Sequence, residues 1–311
     1  ALPIEEATNL PYRSRTRGTM HACGHDGHTT MLLGAARYLA ETRDFDGTVN
    51  FIFQPGEEGI GGALAMLKDG LFQRFPCDAI FGLHNRPGMP IGQYAITPGA
   101  AMAGGAFFDI TVTGRGAHGA RPEESIDPVL VACHIGTALQ SIVARNVSPR
   151  ETAVLSITRI QGGEAYNVIP ETATLSGTAR TMRRETMNLI EQGMQRIATN
   201  VAAGFAAAAA VDFRLIFAPL INHPEHVAEI AETAAELVGA DNLDRNKPPA
   251  VASEDFSFML EQVAGAYINI GNGEQSAPVH NPNYNFNDAA IPYGSALFAR
   301  LVERKLMRGQ D

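Results

Sequence analysis

The sequence predicts an α/β protein: an α/β sheet domain interrupted by a smaller βαββαβ domain of the split ferredoxin-like arrangement. Three observations carry this reading. Helical and strand-like apolar patterns alternate up to about residue 103. From about 104 to 218 the order becomes strand, helix, strand, strand, helix, strand. After Pro219 the first style returns. The implied domains are a discontinuous one, 1–103 with 219–311, and an inserted one, 104–218.

Each element has a local justification. Met31, Leu32, Ala35, Ala36 and Leu39 share one helical face behind Thr29-Thr30, which offers an amino-terminal cap. Residues 48–53 form a β-rich run that stops at Gln54-Pro55-Gly56, and 79–83 a second apolar run that stops at His84. Ligands of such sheets collect at the carboxyl ends of strands, and both Glu57-Glu58 and His84 follow such ends. A small-residue stretch, 99–106, leads into a strand at 107–113. A helix with Val129, Cys133, Gly136, Leu139 and Val143 on one face follows. Strands at 153–160 and 173–181, a helix from about 185 to 203 and a strand at 211–217 complete the insertion, with Ala206–Ala210 as a joint. Val227, Ile230, Ala231, Ala234, Leu237 and Val238 make an amphipathic helix. A short strand at 266–270, a Gly271-Asn272-Gly273 turn and a closing helix at 292–306 end the chain.

Composition narrows the function classes. With 45% hydrophobic and 18% charged residues in 311, the chain can bury a sizeable core and does not read as disordered. The net charge of −9 lacks the basic footprint of a nucleic-acid binder. No apolar run approaches the roughly 18 residues needed to cross a bilayer, and no basic-then-apolar signal opens the chain. Neither nucleic acid nor a membrane is therefore an expected partner. Three cysteines, an odd number, point to a reducing compartment, the cytoplasm. Cys77 and Cys133 read as small buried hydrophobes. The chain opens at Ala1-Leu2-Pro3 without a Met, so an upstream segment is expected.

The densest chemistry is His21-Ala22-Cys23-Gly24-His25-Asp26-Gly27-His28. A Cys-Gly-His triplet in a turn can aim a thiolate sulfur and an imidazole nitrogen at one cation. The plainer alternative is a polar loop with Asp26 capping the next helix. Glu57-Glu58 is either a solvated pair or a divided task, in which one carboxylate ligates a metal while the other acts as general base. His84 and His280 are each ambiguous alone. Together with Cys23, His25 and Glu58 they make five donors from four loops, enough for two cations with a shared ligand or water. His118, among small residues in Gly116-Ala117-His118-Gly119-Ala120, is a ligand contact or a turn histidine. Gly271 and Gly273 either present backbone N–H groups to a substrate carboxylate or form an ordinary turn. His21, His28, His134, His223 and His226 read as structural or surface residues.

In this combination the motifs resemble a known family. Met20 to Thr29 looks like the signature of the N-acyl-amino-acid amidohydrolases, the hippurate and auxin-conjugate hydrolase branch of the aminoacylase and carboxypeptidase-like dinuclear metallohydrolases. Phe53 to Gly59, Gly82-Leu83-His84, Gly116 to Ala120, Gly162-Gly163 to Pro170, Ser253 to Ser257 and His280-Asn281-Pro282 match in order, over essentially the whole chain. The resemblance implies a zinc-exopeptidase type catalytic domain with a lid and dimerisation insert, and hence a homodimer or higher homo-oligomer. It implies Cys23, His25, Glu58, His84 and His280 as ligands of two divalent ions per subunit (zinc, manganese, cobalt or nickel) and Glu57 as general base. It also implies His118, which holds the developing oxyanion, and Asn167 as substrate or transition-state contacts. Relatives carry an acidic Arg-Ala-Asp-x-Asp stretch before the segment that opens this chain, and often Ala where Gly56 stands.

The implied activity is metal-dependent hydrolysis of an N-acyl amino acid to a carboxylic acid and a free amino acid. The alternatives are a non-catalytic, truncated relative that binds metal or ligand, a dipeptidase, and a hydrolase using Cys23 as a nucleophile activated by His25.

Overall fold

The computed structural model describes residues 1–309, which form two compact units. Unit 1 comprises Ala1–Ala101, Ile221–Pro249 and Phe258–Asp311; unit 2 comprises Met102–Leu220 and Ala250–Ser257. The sequence reading keeps all of 219–311 with the first unit. The structure instead groups Ala250–Ser257 with the second, because the Ala103 amide donates to Ala250 O and Arg180 bonds the Ser253 hydroxyl.

Unit 1 opens with helices α1 (His25–Thr42), α2 (Gly62–Lys68) and α3 (Leu71–Arg74), then strands β1 (Ile80–Arg86), β2 (Tyr94–Ile96) and β3 (Gly99–Met102). In unit 2 follow β4 (Gly104–Thr113), β5 (Ala117–His118), α4 (Pro128–Asn146), β6 (Ala153–Gly162), β7 (Val168–Ile169), β8 (Thr172–Thr181), α5 (Arg184–Gly204) and β9 (Ala208–Phe217). The chain then passes through β10 (Leu220–Asn222), which pairs with β3, to α6 (Pro224–Val238), β11 (Leu243–Asp244), α7 (Ser257–Leu260), β12 (Gly265–Gly271) and α8 (Ile291–Lys305).

The four-stranded sheet of unit 1 runs β1-β12-β2-β11, with β1 parallel to β12 and β2 antiparallel to it. Strand β12 is buried along most of its length, as a central strand with both faces covered should be. Met20, Met31, Tyr94, Ile96, Ile230, Ile268, Ile270 and Leu297 belong to its single core. Two local expectations fail here. Residues 48–53 have strand composition but form no strand pairing among the described residues; the Asn50 side chain donates to Pro76 O instead. His84 does not follow its strand but lies inside it, opposite Asn269, because the parallel register with β12 continues to Arg86.

Unit 2 has the sheet order β6-β8-β4-β9, every pairing antiparallel, the ferredoxin-like topology. The alternation along β4 buries Phe108, Ile110 and Val112 against Val131, Ile135, Leu139 and Ile142 of α4 and Met187, Ile190 and Met194 of α5. Ala208–Ala210, read as a joint, already belong to β9. Helix α4 is also long and apolar enough to cross a membrane by length and composition, contrary to the sequence reading. Here its apolar stripe packs on its own sheet.

Candidate metal centre

The Cys23 turn is built by a glycine that cannot be replaced cheaply. Gly24 has φ 88° and is the residue from which α1 starts, so the helix begins four residues before the Thr29-Thr30 pair. The two threonines do not cap it; their hydroxyls bond the carbonyls of His25 and Asp26 one turn back. A Cβ on Gly24 would overlap the Asn85 amide and the Tyr284 hydroxyl. This close approach leaves Cys23 buried and puts His25 and His28 on successive turns of one helix face.

The two carboxylates sit on a turn closed by backbone hydrogen bonds. The Gly59 amide donates to Glu57 O at 2.6 Å and the Gly62 amide to Gly56 O at 3.2 Å, with Gly56 at φ 60° and Gly59 at φ 74°. Gly62 has no room for a Cβ because Pro55 O lies against it. The turn brings Glu57 Oε2 to 3.9 Å from His25 Nε2 and Glu58 Oε1 to 3.4 Å from His280 Nε2. His280 takes a left-handed φ of 64°, uncommon for a non-glycine, and its amide is tied to Ala22 O at 2.6 Å. His84 bonds Asn85 O through Nδ1 at 2.7 Å, which places the proton there and leaves Nε2 facing Cys23 Sγ at 3.4 Å.

All five donors singled out in the sequence, with Glu57, therefore converge. Cys23, His25 and His84 form one set whose ligand atoms lie within 4.8 Å of one another; Cys23, Glu58 and His280 form a second, and His25, Glu57 and Glu58 a third. Thiolate, imidazole and carboxylate are a donor set for zinc-like transition ions, and two overlapping sets around Cys23 suit a pair. Two features fit cations at this place. Glu58 Oε1 is buried and accepts no hydrogen bond, an arrangement that is costly without a positive partner. The imidazoles are held neutral, as ligation requires: burial, with the charge of His84, pushes His25 down to about 4, burial drives His28 well below its usual value, and burial lowers His84.

In unit 2, His118 pairs across β5 and β7 with Val168, and the Gly119 amide donates to Asn167 O at 2.7 Å, so His118 and Asn167 flank one two-stranded antiparallel ribbon. The exposed His118 accepts the Ala120 amide at Nδ1 at 3.1 Å, which leaves Nε2 as its hydrogen-bond donor.

Over residues 1–304 the sequence matches peptidase family M20/M25/M40. The chain belongs to this family. It is 42% identical to hippurate hydrolase of Campylobacter jejuni subsp. jejuni, over 98% of this chain and 79% of that one. Its identity to N-acetylcysteine deacetylase of Bacillus subtilis is 39%, over 97% of this chain and 78% of the relative. The crystal structure of the Bacillus subtilis YXEP protein, a dinuclear metal binding peptidase from the M20 family, superposes with a TM-score of 0.83 at 34% identity. That match covers 98% of this chain and 78% of the other. The chain is thus a hydrolase of the M20 kind, acting on amide bonds.

Against the family frame, one expectation is corrected and three residues are added. The Gly271 and Gly273 amides donate to Gln93 O at 3.0 Å and Met89 O at 2.8 Å, and that of Asn272 to Arg86 O, so this turn offers a substrate carboxylate no free N–H. His28, read as structural or surface, is half-buried beside His84 and accepts the Asn85 amide at 2.9 Å. Asn85 and Tyr284 complete that contact. The spacing of His28 from His25, one helical turn, carried the signal for the first; nothing local marks the other two.

Proposed function

We propose that this chain hydrolyses the amide bond of N-acyl amino acids, giving a carboxylic acid and a free amino acid. In this reading Cys23, His25, Glu58, His84 and His280 hold two divalent ions, and Glu57 is the general base. The observation that carries it is the gathering of these six side chains from four separated segments around a buried carboxylate oxygen that accepts no hydrogen bond. Relatives that act as hippurate hydrolase and N-acetylcysteine deacetylase favour the substrate class.

When bound, the ions supply Lewis-acid polarisation of the amide carbonyl and lower the pKa of the attacking water. The protein supplies the rest. Glu57 accepts a proton from that water through its carboxylate and returns it to the nitrogen of the leaving amino acid, so one group serves as base and then acid. In this reading, as the family resemblance implies, His118 is the contact for the developing oxyanion and Asn167 a substrate contact. Zinc, manganese, cobalt and nickel all suit the donors, and availability selects among them. A thiol ligand must stay reduced, which favours the cytoplasm. Self-association as a homodimer is proposed through unit 2, whose sheet ends in edge strands β6 and β9.

The test is Glu57→Gln. It is expected to keep two ions per chain by metal analysis while turnover of benzoyl-glycine and acetylated amino acids falls about 10³-fold or more. Near-normal turnover, or activity in the wild type that survives complete chelation, would overturn the reading; the latter would return Cys23 to consideration as a nucleophile.

A further inference from the structure

We propose that Asn85 is a positioning residue for the metal centre: it locks the turn that carries Cys23 to the strand that carries His84, setting both donors before any cation arrives. This rests on the ligand assignment above.

Asn85 directly follows His84 and is 3% exposed, and each of its polar groups is used. Its Nδ2 donates to Cys23 O at 2.6 Å and lies 3.0 Å from His28 Nε2. Its Oδ1 accepts the Tyr284 hydroxyl at 3.1 Å. Its backbone amide donates to His28 Nε2 at 2.9 Å, and its carbonyl accepts His84 Nδ1 at 2.7 Å. The amide orientation follows from the partners, since Cys23 O can only accept and therefore demands the nitrogen. Cys23 lies 62 residues before Asn85 and 61 before His84, so no local structure holds them together.

The consequence is mechanical. The Cys23 carbonyl and sulfur belong to one residue, and fixing the first while Gly24 admits no Cβ fixes the turn that aims the second. The same Asn85 sets the His84 tautomer through its main chain, and with it the nitrogen that faces Cys23 Sγ. His28 accepts at Nε2, so its proton resides on Nδ1, and it supports Asn85 rather than the ions. Aspartate cannot replace asparagine here: the oxygen in place of Nδ2 would face two acceptors, Cys23 O and His28 Nε2.

The experiment titrates metal-free protein with Co(II), reading both affinity and the near-ultraviolet thiolate-to-cobalt charge-transfer band, which reports the Cys23 sulfur itself. Asn85→Asp is expected to weaken Co(II) binding about 10- to 100-fold and to diminish or shift the band at saturation. Tyr284→Phe, which removes only a hydroxyl, is expected to weaken binding several-fold with the far-ultraviolet circular dichroism unchanged. A purely structural role would lower the melting temperature and leave affinity and band as in the wild type; that result in Asn85→Asp overturns the proposal. If Asn85→Asp does not fold, Tyr284→Phe decides, and unchanged affinity there overturns it. A wild type without the thiolate band would overturn the ligand assignment and the proposal with it. A normal wild-type band matched by both variants would overturn the positioning role alone.

Discussion

Helices α1 and α4 begin in opposite ways. In α4 the Asp127 carboxylate accepts the amides of Val129 and Leu130, and Pro128 takes the first helical position, where its missing N–H costs nothing. In α1 the first position follows a left-handed glycine with no side-chain cap, and the opening turns carry His25, Asp26 and His28. One start is arranged for stability and the other for placing donors. The contrast extends to the units that hold them. Unit 2 has four ten-residue strands in an antiparallel sheet, whereas no strand of the unit 1 sheet exceeds seven residues and its candidate ligands come from turns, a helix start and a strand. Regular structure supplies cooperativity in one place; the other spends backbone conformations on bringing chemistry together.

The largest expected break in this comparison is made by acid. His25 titrates near 4 in the folded protein and near 6.5 when unfolded, so between those values the unfolded chain binds a proton that the native site refuses. The stability this represents is complete above pH 6.5 and is lost as pH falls to about 4. For His25 alone it amounts to about 3 kcal/mol, and His28 and His84 shift in the same direction. Denaturant unfolding of metal-free protein is expected to show a loss between pH 6.5 and 5, above the carboxylate range, and His25→Gln to reduce it. A flat profile there would mean that the imidazoles are not buried as described.

A smaller break comes from packing in unit 2. Gly177 of β8 lies where a Cβ would overlap Ser156 O and crowd the Phe108 ring at the centre of the sheet. Gly177→Ala is expected to destabilise by about 1–3 kcal/mol, as overpacking does, while the Co(II) spectrum of the metal centre stays that of the wild type. A change in both would show that the two regions are not energetically separable.

These regions were also legible to different degrees, for physical reasons. In unit 2 the long strands and both long helices turn one face to the core, so Phe108, Ile110 and Val112 alternate and Val131, Ile135, Leu139 and Ile142 recur at helical spacing; the βαββαβ order follows from pattern alone. In unit 1 the donors announced themselves by residue type, since a thiol, imidazoles and paired carboxylates are rare company. Their support did not. Asn85 looks like any polar residue at a strand end, and Tyr284 like any core aromatic, until a turn 62 residues earlier is brought against the first. Residues 48–53 failed for a related reason: β composition prescribes a strand only where a neighbour exists to bond to. The Gly271-Asn272-Gly273 turn misled because free and occupied N–H groups have the same sequence.

The finest test compares the two helix starts directly. Removing the Asp127 carboxylate leaves the Val129 and Leu130 amides without their acceptor at the end of a helix whose next turn is buried. Asp127→Ala is expected to cost about 1 kcal/mol in denaturant unfolding. Asp26→Ala in the first turn of α1 removes a carboxylate that caps no amide there, leaving only its attraction to the helix dipole, about 0.3–1 kcal/mol and weakened by salt. Raising the salt concentration should therefore widen the gap between the two variants, because a capping hydrogen bond is less screened than a dipole interaction. Equal losses at every salt concentration would show that α1 depends on a cap at its start after all, and that the opposition between the two helices is one of geometry without energetic weight.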